Sequence, residues 1–460
     1  MIYYIQYVVY VIFLFIYTKS ERNYHMDYIA PNQYHAKAAA ERERRLAWFK
    51  DARFGMFIHF GVFSQFKTGE WCMSFQDYTK EEYEEYAKKF NPKEGCADEW
   101  CALAKKAGAK YAVLTTRHHE GFSLWNSKVN PYNSYNVCGR DIVKEFTDAC
   151  RKHGLKIGLY SSLMDWHHPD GWKCAFDLEA RRRFLDYIEA LNVELLTNYG
   201  KIDILWYDMP YPMTSSEGWD SVNRNNRLRK LQPDMLINNR SKMQEDFLTP
   251  EESISPADGA YWEACMTFNG FSWGYLNSEK ALPYTYSVQQ IIKMLNTCSC
   301  SGGNLLLNIG PMADGSVPPE AVEPLTKLGA WLSENGEAAY GLKAIVGRSY
   351  SGCNLNLSSS SPDNKTVYIW NMIWPDSDTL QIGGYISTPK SITCLSTGEK
   401  VDFVKDGHRI ILKNLPKEAP DKHTGITVFK LEFDEPAKYK WVSYYPQMHG
   451  GINYAGDLVQ

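Results

Sequence analysis

A (β/α)8-like barrel followed by a C-terminal antiparallel β-sandwich is the fold class this sequence predicts, and three observations carry it. Between Phe54 and Ile309, seven short apolar runs alternate with helical segments. Beyond Gly341, short β-rich runs are separated by Ser, Gly, Asp and Pro. Polar and titratable side chains gather where the apolar runs of the first part end. Strand and helix in alternation imply a parallel sheet, and seven such units in about 300 residues imply a barrel more than an open sheet. A chain of 460 residues is also too long for one ordinary core. The expected division is 1–40 as a leader or N-terminal extension, 41–341 as the barrel and 342–460 as the sandwich.

The elements follow in order. Glu41–Lys50 reads as a charged helix and Phe54–Phe60 as the first buried strand, with His59 near its end. Asp98–Ala107 is a short helix stopped by Gly108, feeding a second strand, Tyr111–Thr116, with Arg117, His118, His119 and Glu120 directly after it. Arg140–His153 places Ile142, Val143, Phe146, Ala149 and Cys150 on one face and is closed by Gly154. Lys156–Ser162 is the third strand. Phe184, Ile188, Leu191 and Leu195 recur at helical spacing before Gly200. The fourth strand, ending ILWYD at Asp208, is a near-continuous apolar run, as expected of a strand buried on both faces. Met235–Asn239, Trp262–Phe268 and Asn304–Ile309 are the remaining strands, with a helix over Val288–Cys298 before the last. In the second part, Thr366–Ile373, Ser391–Ser396, Arg409–Leu415 and Gly425–Phe433 are β-rich, and Thr427, Phe429, Leu431 and Phe433 alternate with Val428, Lys430 and Glu432.

Composition narrows the function. A net charge of -4 leaves no basic surplus to neutralise phosphates, so nucleic acid is not an expected partner. The eleven cysteines are odd in number and include no CxxC pair, which argues against a disulfide framework and against structural zinc. Cys150, on the apolar face of its helix, reads as a buried thiol. Met1–Tyr17 is almost wholly apolar, yet it lacks a basic n-region and is shorter than the roughly 20 residues that span a bilayer. It reads either as a membrane-targeting segment or as leader sequence. Membrane contact, secretion or membrane targeting is expected only in the first case, and an intracellular location in the second.

The residues at or just past the strand ends are His59, Glu70 and Trp71, His118 and His119, Tyr160, Asp208, Arg240, Glu251 and Glu252, and Glu263. Such a cluster on one face of a barrel is the signature of a small-molecule site. A carboxylate closing a buried strand, as Asp208 does, is costly unless it is paired or used. Metal-dependent hydrolysis would use His pairs such as His118-His119 or His167-His168. Adjacent residues point in different directions, however, and neither HxH nor HExxH occurs. Glycoside hydrolysis needs two carboxylates flanking the bond, hydrogen-bonding groups for hydroxyls and an aromatic for the apolar sugar face. Those residue types are all present, with no phosphate loop or Gly-rich dinucleotide turn beside them.

At these residues the chain resembles the α-L-fucosidases of glycoside hydrolase family 29. The matching motifs are WFKDARFGMFIHFG (Trp48–Gly61), GEW (Gly69–Trp71), TTRHHEGFSLW (Thr115–Trp125), GLYSS (Gly158–Ser162), ILWYD (Ile204–Asp208), NNR (Asn238–Arg240), WEACMTFNGFSWGY (Trp262–Tyr275) and GGNLLLNIGPMADG (Gly302–Gly315). They cover residues 45 to 341 in the family's order, and the family also carries a C-terminal β-sandwich. The resemblance implies a retaining hydrolase of terminal α-L-fucose on glycans, working without metal or organic cofactor. Asp208 matches the family's nucleophile, which attacks the anomeric carbon. His59, Glu70, Trp71, His118, His119, Tyr160 and Arg240 match positions lining the fucose pocket, which makes the two histidines hydroxyl binders. Glu251, in a TPE motif, matches the acid/base of many members and is preferred; Glu263, in WEACM, is the second candidate, and Glu252 is the obvious misassignment. Trp273 is either a platform for the C5-methyl face of fucose or ordinary core. A retaining pair should stand roughly 5–5.5 Å apart. The rival from another class is a catalytically inactive fucose- or glycan-binding protein on the same fold. Linkage preference is expected to reside in loops such as Met209–Trp219 and Ala257–Tyr261, and no pattern in the sequence reads oligomeric state.

Overall fold

The computed structural model describes residues 28–254, 260–344, 349–351, 354–356 and 358–439. The apolar segment Met1–Tyr17 and most of the loop Ala257–Tyr261 lie outside them. Strands β1 (Phe54–Ile58), β2 (Tyr111–Arg117), β3 (Lys156–Ser162), β4 (Ile204–Asp208), β5 (Leu236–Ile237), β6 (Glu263–Met266) and β7 (Asn304–Ile309) form one parallel sheet in the order β5-β4-β3-β2-β1-β7-β6. Residues 246–251 span the gap between its two edges. They pair by isolated parallel bridges, Asn238 with Phe247 on the β5 side, and Leu248 with Trp262 and Glu251 with Cys265 on the β6 side. The expected barrel is therefore a curled seven-stranded sheet with an irregular eighth stave. Pro250 lies in that stave and brings no N–H to a ladder.

Burial on both faces explains the unbroken apolar runs. Phe57, Val113, Tyr160, Ile204, Trp206, Leu236, Cys265 and Leu306 fill the barrel interior. Their neighbours Met56, Ile58, Leu114, Leu159, Leu205, Tyr207 and Leu307 face the surrounding helices. Successive side chains in a strand point to opposite faces. Asp208, two residues after Trp206, His59, two after Phe57, and Asn308, two after Leu306, are thus in phase with the interior at its upper end.

The expected helices are present as α2 (Cys96–Lys106), α3 (Ile142–His153), α4 (Leu178–Thr197) and α6 (Val288–Cys300). In α3 the Asp141 side chain accepts Lys144 N–H at its start, and Gly154 (φ 69°) ends it, as the sequence indicates. Helix α1 (Pro31–Ala52) begins ten residues before the expected Glu41, with Pro at its first turn, so the expected boundary at residue 41 falls inside it. Its C-terminal half plugs the barrel floor: Phe49 is fully buried against Tyr111, Phe247 and Tyr261. Burial of that ring contributes about 2–3 kcal/mol. Helix α5 (Ser221–Leu231) has no apolar stripe, because its inward face is Ser221, Arg224, Asn225, Asn226 and Leu228. Helix α7 (Pro319–Asn335) carries Pro324 inside it.

Helices α1 and α5 clamp the eighth stave. Arg45 Nη2 and Arg229 Nη2 each donate to Asp246, at 2.7 Å, and Asp246 Oδ2 accepts Ile237 N–H at 2.9 Å. Arg229 also reaches Glu245 at 2.8 Å, and Tyr34 OH donates to the same carboxylate at 2.7 Å. Removing one partner from such a buried network strands a charge and costs several kcal/mol. The clamp fixes the stave that carries Glu251.

Beyond the barrel, two five-stranded antiparallel sheets stack, as expected of a sandwich. Val367, Ile369, Ile392, Ile410, Leu412, Phe429 and Leu431 fill the space between them. The alternate residues Tyr368, Trp370 and Val428 turn toward the barrel helices. Trp331 of α7 packs on Trp370 (ring centroids 5.1 Å apart) and donates Nε1–H to Ile426 O at 2.7 Å. The ten described cysteines are free.

Candidate active site

The upper end of the barrel holds a cavity of about 100 Å3, lined by Phe57, His59, Glu70, Trp71, His118, His119, Tyr160, Trp206, Asp208, Met209, Glu251, Cys265 and Trp273. That is room for several waters. Nine residues singled out in the sequence come together in it.

Asp208 ends β4 with both oxygens engaged. Tyr160 OH donates to Oδ2 at 2.9 Å and Arg240 Nη1 to Oδ1 at 2.9 Å. Burial and the adjacent Asp208 charge push the Tyr160 phenol well above its ordinary value, so it stays a neutral donor. Arg240 projects from a 3-10 turn, Asn239–Ser241, directly after β5. Its other terminal nitrogen, Nη2, donates to Glu251 Oε2 at 2.7 Å. Thr249 Oγ1 and O take two further bonds from the guanidinium, which lies 5.2 Å over the Trp206 ring. One planar fork thus joins two carboxylates at the cavity, a geometry that lysine does not offer.

The histidine protons follow from the network. Asn308 Nδ2 donates to Trp273 O at 2.7 Å, so its Oδ1 accepts from His59 Nδ1–H at 2.7 Å. Ser162 OH donates to Met164 O at 2.6 Å, so its Oγ accepts from His119 Nδ1–H at 2.8 Å. Burial, together with the neighbouring His118, pushes both rings well below the ordinary imidazole value and keeps them neutral. Each therefore keeps a bare Nε2 as an acceptor. In His119 this atom lies 3.9 Å from Asp208 Oδ2. The ring of His118 stacks on Tyr160 at 5.8 Å and contacts His119 at 3.9 Å.

Glu70 serves the wall. Its Oε2 accepts Trp273 N–H at 3.0 Å, Gly274 N–H at 2.8 Å and Ser272 OH at 3.3 Å. A Cβ on Gly274 would stand 2.8 Å from Glu70 N, which explains the glycine of FSWGY. Trp273 is held beside His59, ring centroids 5.1 Å apart.

The three remaining glutamates separate clearly. Glu251 faces the cavity and its side chain is 44% exposed. Glu252, at φ 49°, turns away and accepts Thr267 N–H. Glu263 lies one layer down inside the barrel, where it accepts from Tyr111 OH and, at 3.0 Å, from Trp206 Nε1–H. It does not line the cavity. Burial raises its carboxyl to about 7. A folded-state value above the unfolded one means that the native protein holds the extra proton between about pH 4.5 and 7. Stability from this group is therefore complete below about 4.5 and lost as pH rises through 7. Glu263→Gln should remove that loss, on the order of 2–3 kcal/mol. Urea unfolding of both proteins at pH 5 and 8 checks it, and identical pH dependence would contradict it.

Some participants escaped the sequence reading. Asn308 carried a signal, a polar residue inside the apolar run NLLLNI. Ser162 and Cys265 carried none, because small residues in buried strands are ordinary.

The alpha-L-fucosidase family model matches residues 24–337. The chain belongs to the alpha-L-fucosidase family. It is 32% identical to human tissue alpha-L-fucosidase over 408 residues, covering 81% of this chain and 86% of that protein. It is 30% identical to the alpha-L-fucosidase of Dictyostelium discoideum over 436 residues, 84% and 92% of the two chains. Among solved structures, alpha-L-fucosidase isoenzyme 1 from Paenibacillus thiaminolyticus superposes with a TM-score of 0.77 at 33% identity, covering 86% of this chain and all of that one. A Bacteroides thetaiotaomicron alpha-L-fucosidase, solved as a trapped covalent intermediate with 2-fluoro-fucosyl fluoride, superposes with a TM-score of 0.75 at 27% identity over 85% of this chain and 96% of that one. In this family member, the cavity above Trp206 is the part of the barrel that joins two carboxylates.

Proposed function

We propose that the protein is a retaining exo-glycosidase that removes terminal α-L-fucose from oligosaccharides or glycoconjugates. The observation that carries this reading is the Arg240 fork between Asp208 and Glu251 at the cavity above Trp206. In the reaction, an Asp208 oxygen attacks the anomeric carbon while Glu251 gives its proton to the departing glycosidic oxygen. The C1–O bond breaks and a fucosyl ester on Asp208 forms. Water then attacks C1, Glu251 takes its proton, and the ester bond to Asp208 breaks.

The rest of the cavity suits a neutral sugar. The bare Nε2 atoms of His59 and His119 accept sugar hydroxyl protons, and the Trp273 face meets the C5-methyl side. Glu251 has to leave Arg240 and take up a proton before it can act as an acid. Its half-exposed position supports that exchange, whereas Glu263, sealed beneath Trp206, has no path to the glycosidic oxygen. We infer that the described residues of the C-terminal sandwich, up to residue 439, support the barrel through the Trp331 contact rather than complete the site. Wild-type protein should release 4-nitrophenol from its α-L-fucoside. Silence on that substrate and on a panel of fucosylated oligosaccharides would contradict the reading and leave the glycan-binding alternative.

A further inference from the structure

In the fucosidase reading the cavity takes the fucosyl group, so whatever fucose is attached to must cross its rim. On one side the rim is aromatic. Trp71 precedes a short helix, Cys72–Phe75, in which Phe75 N–H donates to Trp71 O at 2.9 Å. That one-turn spacing puts both rings on one face. They stack, centroids 5.6 Å apart and planes within 23°. Phe75 is 78% exposed. A single exposed apolar ring is ordinary, but this one stacks on the ring that lines the cavity.

The surface is also rigid. Trp71 is braced on its other sides by Trp166, at 5.1 Å and 66°, and by His119, at 5.3 Å. Trp166 N–H in turn donates to His119 O at 2.7 Å. Beside the rings, Gln76 Nε2 donates to Thr68 Oγ1 at 2.7 Å, leaving uncharged polar groups on the exposed rim. An exposed aromatic ring beside neutral hydrogen-bonding groups matches an uncharged pyranose, with one C–H face and peripheral hydroxyls.

We propose that Phe75, together with Trp71, forms a subsite for the neutral pyranose to which fucose is linked, held by stacking on the exposed ring. This rests on the fucosidase reading. The occupant follows from continuity with the cavity, because the acceptor sugar is covalently tied to the residue inside it.

The test compares wild type, Phe75→Ala and Phe75→Tyr on two substrates: α-L-fucosyl fluoride, which has no acceptor sugar, and an α-L-fucosyl disaccharide. For Phe75→Ala, kcat/KM on the disaccharide should fall roughly three- to tenfold, the worth of one aromatic contact, mostly through KM. On the fluoride it should stay unchanged, and Phe75→Tyr should restore the disaccharide rate. Equal loss on both substrates, or no loss on the disaccharide, overturns the subsite while leaving the fucosidase reading intact. A change in sedimenting mass for Phe75→Ala would assign the ring to a subunit contact and also overturns it. A wild type inactive on both substrates overturns the underlying reading, and the subsite with it.

Discussion

Asp208→Asn should lower turnover of every fucoside by about 10^4-fold or more while leaving fucose affinity within a few-fold. The nucleophile is lost, since an amide oxygen does not form the glycosyl ester, but the packing survives. Asn Oδ1 still accepts from Arg240 Nη1, and its amide N–H can donate to the Tyr160 oxygen that now bonds Asp208. Steady-state kinetics and calorimetric titration with fucose check the two halves separately. Unchanged turnover would remove Asp208 from the chemistry. A wild type that binds fucose but never turns over would instead mark a binding protein, in which a carboxylate held at the end of a buried strand, as Asp208 is, has no evident use.

Glu251→Gln should lose about 10^2- to 10^4-fold on substrates with a sugar leaving group, the usual worth of general acid catalysis. Far less should be lost on α-L-fucosyl fluoride, whose leaving group needs little proton donation. Azide should rescue this variant and give fucosyl azide as product, because the anion attacks the fucosyl ester without a general base. Glutamine still accepts from Arg240 Nη2, so the pocket stays assembled. Glu263→Gln should show neither the leaving-group dependence nor the rescue, in keeping with its place beneath Trp206. Azide rescue of Glu263→Gln and not of Glu251→Gln would reverse the assignment.

The barrel was legible because parallel strands buried on both faces write themselves as apolar runs, and six of the seven ran for four residues or more. The candidate site was legible from the strand ends: polar residues at or just past the apolar runs, His59, Tyr160 and Asp208 among them, come together at the barrel mouth. Three features were illegible for physical reasons. Residues 246–251 pair by bridges around a proline, so no periodic run marks the eighth stave. Helix α5 buries arginine and asparagine, so its inward face has no apolar stripe. The first turn of helix α1 is tied down by Tyr34 bonding Glu245, over two hundred residues away, and no local spacing announces such a partner. Glu251 and Glu263 both follow plausible motifs, and their different places, one at the cavity and one beneath Trp206, were not legible in the sequence.

The most direct test of the central claim is to trap the intermediate. Wild-type protein is incubated with 2-deoxy-2-fluoro-α-L-fucosyl fluoride and digested, and the labelled peptide is sequenced by mass spectrometry. One fluorofucosyl group per chain, esterified to Asp208, is the expected result. A protein that hydrolyses fucosides yet carries no label, or carries it on another residue, would contradict double displacement through Asp208.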